Sequence, residues 1–295
     1  QSIAQFLDAV RERDAELDLG GLIVAMCRAH GCAAFASTLA AFFEMQRDGL
    51  CVRDFAWLDQ LASAPFDDPD RDALVANVAR LAAARFCEQP APRFAHQDDA
   101  AHPKETLPAF LRALVIARDE QSLERVIRFV MDQPTRFSLD DVQVPSLGRA
   151  VNWARKQKVP VPPRIIAWLR AIQQRLATAT AQEPQPPTDL ARPAEIECTC
   201  QYCLRLNEIL ATPNEAGGRI HAREDMRSHL ISMISKHQCD VTHKLEKTGS
   251  PYALVFTKTD GSFIRRAQRF AADQKLLATV NELLGGHTEQ LVARG

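Results

Sequence analysis

The chain has 295 residues, 46 % hydrophobic and 25 % charged, with a formal net charge of −1. This is ordinary globular composition, and the length favours two domains with a sizeable core. Such balanced charge excludes a global field that would draw the chain onto nucleic acid or anionic lipid.

The opening run, Gln1-Ser2-Ile3-Ala4-Gln5-Phe6, lacks the charged start, apolar stretch and small-residue cleavage site of a secretory signal. The most apolar stretch, residues 22–43, is broken by Arg28, His30 and Gly31, so no membrane span is expected. There is no initiator Met, and the chain is read as processed or, the favoured expectation, as the tail of something longer. Eight cysteines, three of them within six residues, suit a reducing, cytoplasmic compartment and one metal site better than a disulfide scaffold.

In chain order, residues 1–181 read as successive short helices, in keeping with a chain rich in Ala and Leu and only 6 % aromatic. Ser2 can cap a first helix that carries Ile3, Phe6, Leu7 and Val10 on one face. A second, 22–30, stops at Gly31, a natural C-cap. Further helices are predicted over 34–46, 52–62, 71–86, 107–116, 121–131, 146–156 and 163–176. Segments such as Phe110-Leu111 with Leu114-Val115 are too apolar to stand alone and have to be buried between neighbours. The expected fold class is therefore mainly α, an α-solenoid-like array of stacked helix pairs followed by a small α+β module. No fixed repeat period supports a repeat family, and an irregular bundle is the alternative. Residues 89–105 read as a long polar loop, and 182–196 as a Pro-rich, extended linker and domain boundary.

The third segment, 197–287, changes character. It is expected to hold a short helix over 204–210, a turn through Pro213 and Gly217-Gly218, and a helix over 224–235. Strands over 240–247 and 252–258 follow, joined by the hairpin residues Gly249-Ser250-Pro251, then a last helix over 264–284 that ends at Gly285-Gly286. A unit of this size has a modest core, which a metal ion would staple.

The sharp chemical signal is Cys198-Thr199-Cys200-Gln201-Tyr202-Cys203. Spacings of two and three residues let one tight loop aim three sulfurs at a common centre, and the following helix favours thiolates at its N-terminal end. Zinc in a closed structural site takes four such ligands. His229, on the core edge of a helix, is the favoured fourth; Cys239, His243 and His237 are the other candidates. Three thiols packed in a reduced core is the bland alternative, and a redox CxxC would want a βαβ pattern that is not present here.

The run 186–194 (PPTDLARPA), the three cysteines with Leu204 and Leu206, Arg227-Ser228-His229-Leu230, and residues 249–259 together resemble a known tail region. It is the region C-terminal to the catalytic domain in proteins similar to iron- and 2-oxoglutarate-dependent (prolyl-hydroxylase-like) oxygenases. The resemblance covers about 186–284 well and the helical part loosely. It implies that Cys198, Cys200, Cys203 and His229 recur together, and that the oxygenase domain lies upstream of Gln1.

Other motifs carry less. His96-Gln97-Asp98 has the letters of an iron site but no run of strands around it to build a barrel. Cys27-Arg28-Ala29-His30-Gly31-Cys32 is better explained as a helix end with Cys27 packed inside. No Gly-rich phosphate loop, nucleophile elbow or HExxH occurs. Lys244, Lys247, Lys258, Arg265, Arg266 and Arg269 gather near Tyr252 and Phe263, a pattern that can hold phosphate and stack bases. Nearby acids, Glu246, Asp260 and Asp273, favour a solvated surface instead. The reading that results is a non-catalytic interaction region with a structural zinc module, accessory to an oxygenase domain and engaging a protein partner. A nucleic-acid-binding zinc module using the basic hairpin is the alternative.

Overall fold

The computed structural model describes residues 19–45, 58, 60–64, 67–88, 103–192 and 196–292. The expected first helix and His96-Gln97-Asp98 lie outside the described residues. The chain divides into two compact units, Gln1–Arg175 with Leu276–Gly295, and Leu176–Lys275. The first boundary falls inside a helix ahead of the Pro-rich segment 182–196, and the last helix contributes to both units.

The first unit holds α1 (Leu19–His30), α2 (Cys32–Met45), α3 (Arg71–Glu88), α4 (Pro103–Ala117), α5 (Glu120–Met131), a π turn (Leu139–Gln143), α6 (Val144–Lys156) and most of α7 (Pro163–Ala179). Residues 103–105, expected in the polar loop, form the first turn of α4. The apolar stripes meet as the periodicity requires. α3 packs on α2, α4 and α5, and α4 packs on α6, burying Val78, Phe110, Leu114, Val126 and Leu147 completely. This is a layered helical packing; the stacked-pair solenoid expected from the sequence is not shown by it. Phe86 lies at the centre, with ring centroids 5.4 Å from Phe110, 5.4 Å from Phe129 and 5.9 Å from Phe137.

Local chemistry sets the ends of these helices. Gly31, at φ +83°, takes the left-handed conformation that ends α1, and its N–H donates to the carbonyl of Cys27 at 2.8 Å. Cys32 then starts α2, its N–H capped by Asp68 Oδ2 at 2.9 Å. Cys27 and Cys32 are both buried core thiols. Asp119 caps α5 through Ser122 N–H, at 3.1 Å. In the same unit, Leu283 of the last helix lies against Gly148, where a Cβ would come within 3.7 Å of Leu283 Cδ1.

The second unit holds α8 (Gln201–Ala211), β1 (Gly217–His221), α9 (Glu224–Lys236), β2 (Val241–Glu246), β3 (Ala253–Lys258) and the start of α10 (Gly261–Val292). The sheet is antiparallel with order β1-β3-β2. Phe256 of β3 sits opposite Gly218 on one side and His243 on the other, and Leu254 sits opposite Ile220 and Leu245. The core combines Cys203, Leu206, Ile209 and Leu210 of α8, Leu230 and Ile234 of α9, and Ile220, Val241, Leu254 and Phe256 of the sheet.

Two elements differ from expectation. Gly217-Gly218 is not a turn but the start of β1, because the strand lies so close to its neighbours that only glycine fits. A Cβ on Gly217 would sit 1.9 Å from the carbonyl oxygen of Phe256, and one on Gly218 would sit 2.7 Å from Ile209 Cδ1. The last helix begins earlier than expected and runs through Gly285-Gly286 to Val292. A helix interior tolerates glycine at about 1 kcal/mol each. Its early start is set from a distance: Asp240 Oδ1 accepts from Ser262 N–H at 2.6 Å, supplying an N-terminal cap from the end of the α9–β2 connection. Among the described residues no helix is long and apolar enough to cross a membrane.

Candidate metal centre

Ile196 is buried in the core of the second unit and anchors the loop that follows. Cys198 and Cys200 leave that loop half-buried, and Cys200 then becomes the N-cap of α8. Cys203, on the first turn of the helix, is completely buried. Opposite them α9 packs on α8. Leu230 and Ile234 point into the core, and Met226 and Met233 pack at its margin. His229, half-buried on the same helix, presents Nε2 to the three sulfurs.

The distances from His229 Nε2 are 3.4 Å to Cys198 Sγ, 3.7 Å to Cys200 Sγ and 3.3 Å to Cys203 Sγ. All four ligand atoms lie within 4.8 Å of one another. A tetrahedral ion with S at about 2.3 Å and N at about 2.0–2.1 Å would set each S···N separation near 3.6 Å. The cluster therefore fits a four-coordinate metal ion without any change of fold, and every position is taken by a protein atom.

The electrostatics divide the thiols. Cys203 N–H donates to Cys200 Sγ at 3.4 Å, and this backbone bond is the largest cause that lowers the Cys200 thiol from 9.0 to about 7. Burial acts the other way on Cys203, pushing it up to about 12, and its neighbouring sulfurs add to the rise. A cation at the centre of the cluster would reverse that penalty, since a coordinating thiol is deprotonated outright.

No known family model, curated protein or solved structure matches this chain.

The other candidate ligands stand apart from the cluster. His243 occupies the register position opposite Phe256 on edge strand β2 and is exposed. His237 is the half-buried C-cap residue of α9. Cys239 packs at the core margin, where burial raises its thiol pKa.

Arg227, two positions before His229, has a role that its place in the sequence does not announce. Its guanidinium lies 5.5 Å from the centroid of the Tyr252 ring and donates to the Ala222 carbonyl at 2.6 Å. It thus ties the helix that carries His229 to the residue preceding β3. The signal available in the sequence was proximity alone, two positions from the ligand.

The basic cluster is thinner in space than in sequence. Lys258 is buried, donates Nζ to the Thr212 carbonyl, and is held below the usual lysine range by burial first and Arg192 second. Arg265 pairs with Asp240 at 3.4 Å and Arg269 with Asp273 at 2.9 Å. Lys244, Lys247 and Arg266 remain as exposed cations.

Proposed function

We propose that Cys198, Cys200, Cys203 and His229 hold a structural zinc ion, in a cytoplasmic interaction region that is not itself catalytic. The observation that carries this is the convergence of three sulfurs and one imidazole nitrogen within 4.8 Å. Three soft thiolates with one imidazole are a donor set suited to zinc. Four protein ligands leave no open position for water or substrate, which separates a structural from a catalytic zinc site. The partner expected for this region is a protein, and the resemblance of residues 186–284 to an oxygenase tail makes an iron- and 2-oxoglutarate-dependent oxygenase domain the activity it serves.

Elemental analysis of the purified chain tests the metal: one zinc per chain is expected, and a chain carrying none or another metal overturns it. Incubation with iron and 2-oxoglutarate tests the accessory role. Succinate production by this chain alone, lost in His96→Ala, would show that it is catalytic. A second reading, nucleic-acid binding by the hairpin, rests on the exposed Lys244, Lys247 and Arg266. A salt-dependent mobility shift with RNA or DNA would favour it.

A further inference from the structure

The three sulfurs differ in access. Cys203 is fully buried in the core, whereas Cys198 and Cys200 are half-buried at the surface of the unit. A small molecule can reach the outer two, and the inner one lies directly behind them. Cys200 and Cys203 also occupy the N-cap and third position of the same helix, with Cys203 N–H already donating to Cys200 Sγ at 3.4 Å. The two sulfurs already lie within 4.8 Å of each other. Residues three apart on a helical turn hold their Cβ atoms about 5–6 Å apart, so the backbone of the first turn of α8 has to tighten by about 1–2 Å to reach the Cβ···Cβ distance of about 3.5–4.5 Å that a disulfide needs. Among the described residues the other thiols are placed differently: Cys27 and Cys32 are buried in the first unit, Cys87 is half-buried on α3 with burial pushing its thiol up to about 11, and Cys239 stands outside the cluster.

We propose that the cluster is a peroxide-sensitive zinc switch, in which oxidation of Cys200 and Cys203 to a disulfide expels the metal and opens the second unit. This rests on the zinc reading above. In the first step the Cys200 thiolate attacks one oxygen of hydrogen peroxide, the O–O bond breaks, and hydroxide leaves, giving a sulfenic acid on Cys200. The Cys203 thiolate then attacks that sulfur and displaces a second hydroxide, which forms the S–S bond. Each hydroxide takes a proton from solvent. For hydrogen peroxide, two electrons pass from the two sulfurs to the oxidant, and two waters result. Zinc is left with Cys198 and His229, too few ligands for a closed structural site. The metal-mediated link between α8 and α9 is then lost, leaving only their direct packing in a small core.

The test uses the full chain loaded with zinc. It is treated with an equimolar amount of hydrogen peroxide, released zinc is followed with a chromogenic chelator, and disulfides are mapped by peptide mass analysis. The expected result is loss of the bound zinc together with a Cys200–Cys203 bond, with zinc regained after dithiothreitol and fresh metal. Cys239→Ser should release zinc at a rate within about twofold of the parent chain, because that thiol lies outside the cluster. Zinc retained while other thiols oxidise overturns the switch and leaves the metal centre standing. Release with a different cysteine pairing, or with sulfonates that dithiothreitol cannot restore, also overturns it. A chain with no zinc before peroxide is added refutes the metal centre, and the switch with it.

Discussion

Replacing His229 with alanine removes the one candidate ligand that α9 brings to the proposed metal centre, and with it the metal-mediated tie between α9 and α8. Structural zinc contributes about 10–16 kcal/mol in small domains at neutral pH. Shared over four ligands, one imidazole accounts for roughly 2.5–4 kcal/mol, equivalent to a loss of affinity of about 70- to 900-fold. The second unit spans residues 176–275, and a unit of that size has a net stability of roughly 5–15 kcal/mol. The metal term is thus comparable with the whole, so the variant should open locally as well as bind weakly. The assay is competition with a chromogenic chelator, followed by limited proteolysis of the hairpin between β2 and β3. His229→Ala should release zinc at a chelator concentration that leaves His243→Ala, His237→Ala and Cys239→Ser loaded, and its hairpin should be cut faster. If His229→Ala holds zinc as tightly as the parent chain, or His243→Ala loses it instead, the geometric reasoning fails.

In the metal-free unit the two perturbed thiols work in opposite directions with pH. Cys200, lowered from 9.0 to about 7, stabilises the fold fully above pH 9, and that contribution is lost as pH falls through 7. Cys203, raised to about 12, stabilises it fully below pH 9 and loses that contribution as pH climbs toward 12. Denaturant unfolding of chelator-treated protein should therefore rise in midpoint from pH 6 to 9, and Cys200→Ser should flatten that limb. Gly217→Ala should cost about 1–3 kcal/mol or more, since its Cβ would meet a backbone oxygen that cannot swing aside; an unchanged thermal midpoint would refute the close approach of β1. Asp119→Ala removes the cap of α5 and should cost about 1 kcal/mol in denaturant unfolding of the first unit.

Much of this organisation could be read in the sequence where a repeating physical pattern exists. Leu123, Val126 and Val130 recur at helical spacing and all three are buried on α5. The cysteine spacing pointed to one centre, and a histidine on the core edge of the next long helix was the favoured partner. The structure does bring those four side chains together. What could not be read depends on contacts distant in sequence. Gly217-Gly218 has the letters of a turn, and only the closeness of Phe256 and Ile209 makes it a strand. The five-residue π turn at Leu139–Gln143 is too short to show a period of its own; Gln143 holds it by donating to the Phe137 carbonyl at 2.7 Å. Lys258 looked like one more surface cation because nothing nearby in sequence announces the Thr212 carbonyl that receives it.

The Pro-rich stretch between the helices and the cysteines looked like a place to cut the chain, yet part of it is built into the second unit. Leu190 N–H donates to the Pro213 carbonyl at 2.9 Å and Arg192 N–H to the Leu210 carbonyl at 2.7 Å. The Arg192 side chain is buried, bonded to the Thr259 carbonyl at 2.8 Å and to the Asp260 carboxylate, where β3 gives way to α10. A fragment that begins at Glu197 would strip this guanidinium away and bare the groups it satisfies, leaving a piece that keeps the four candidate ligands but whose far end has lost its clasp. Anyone dissecting the protein for binding or crystallisation should begin ahead of Gln182, so that a failure to fold is not mistaken for a failure to bind metal.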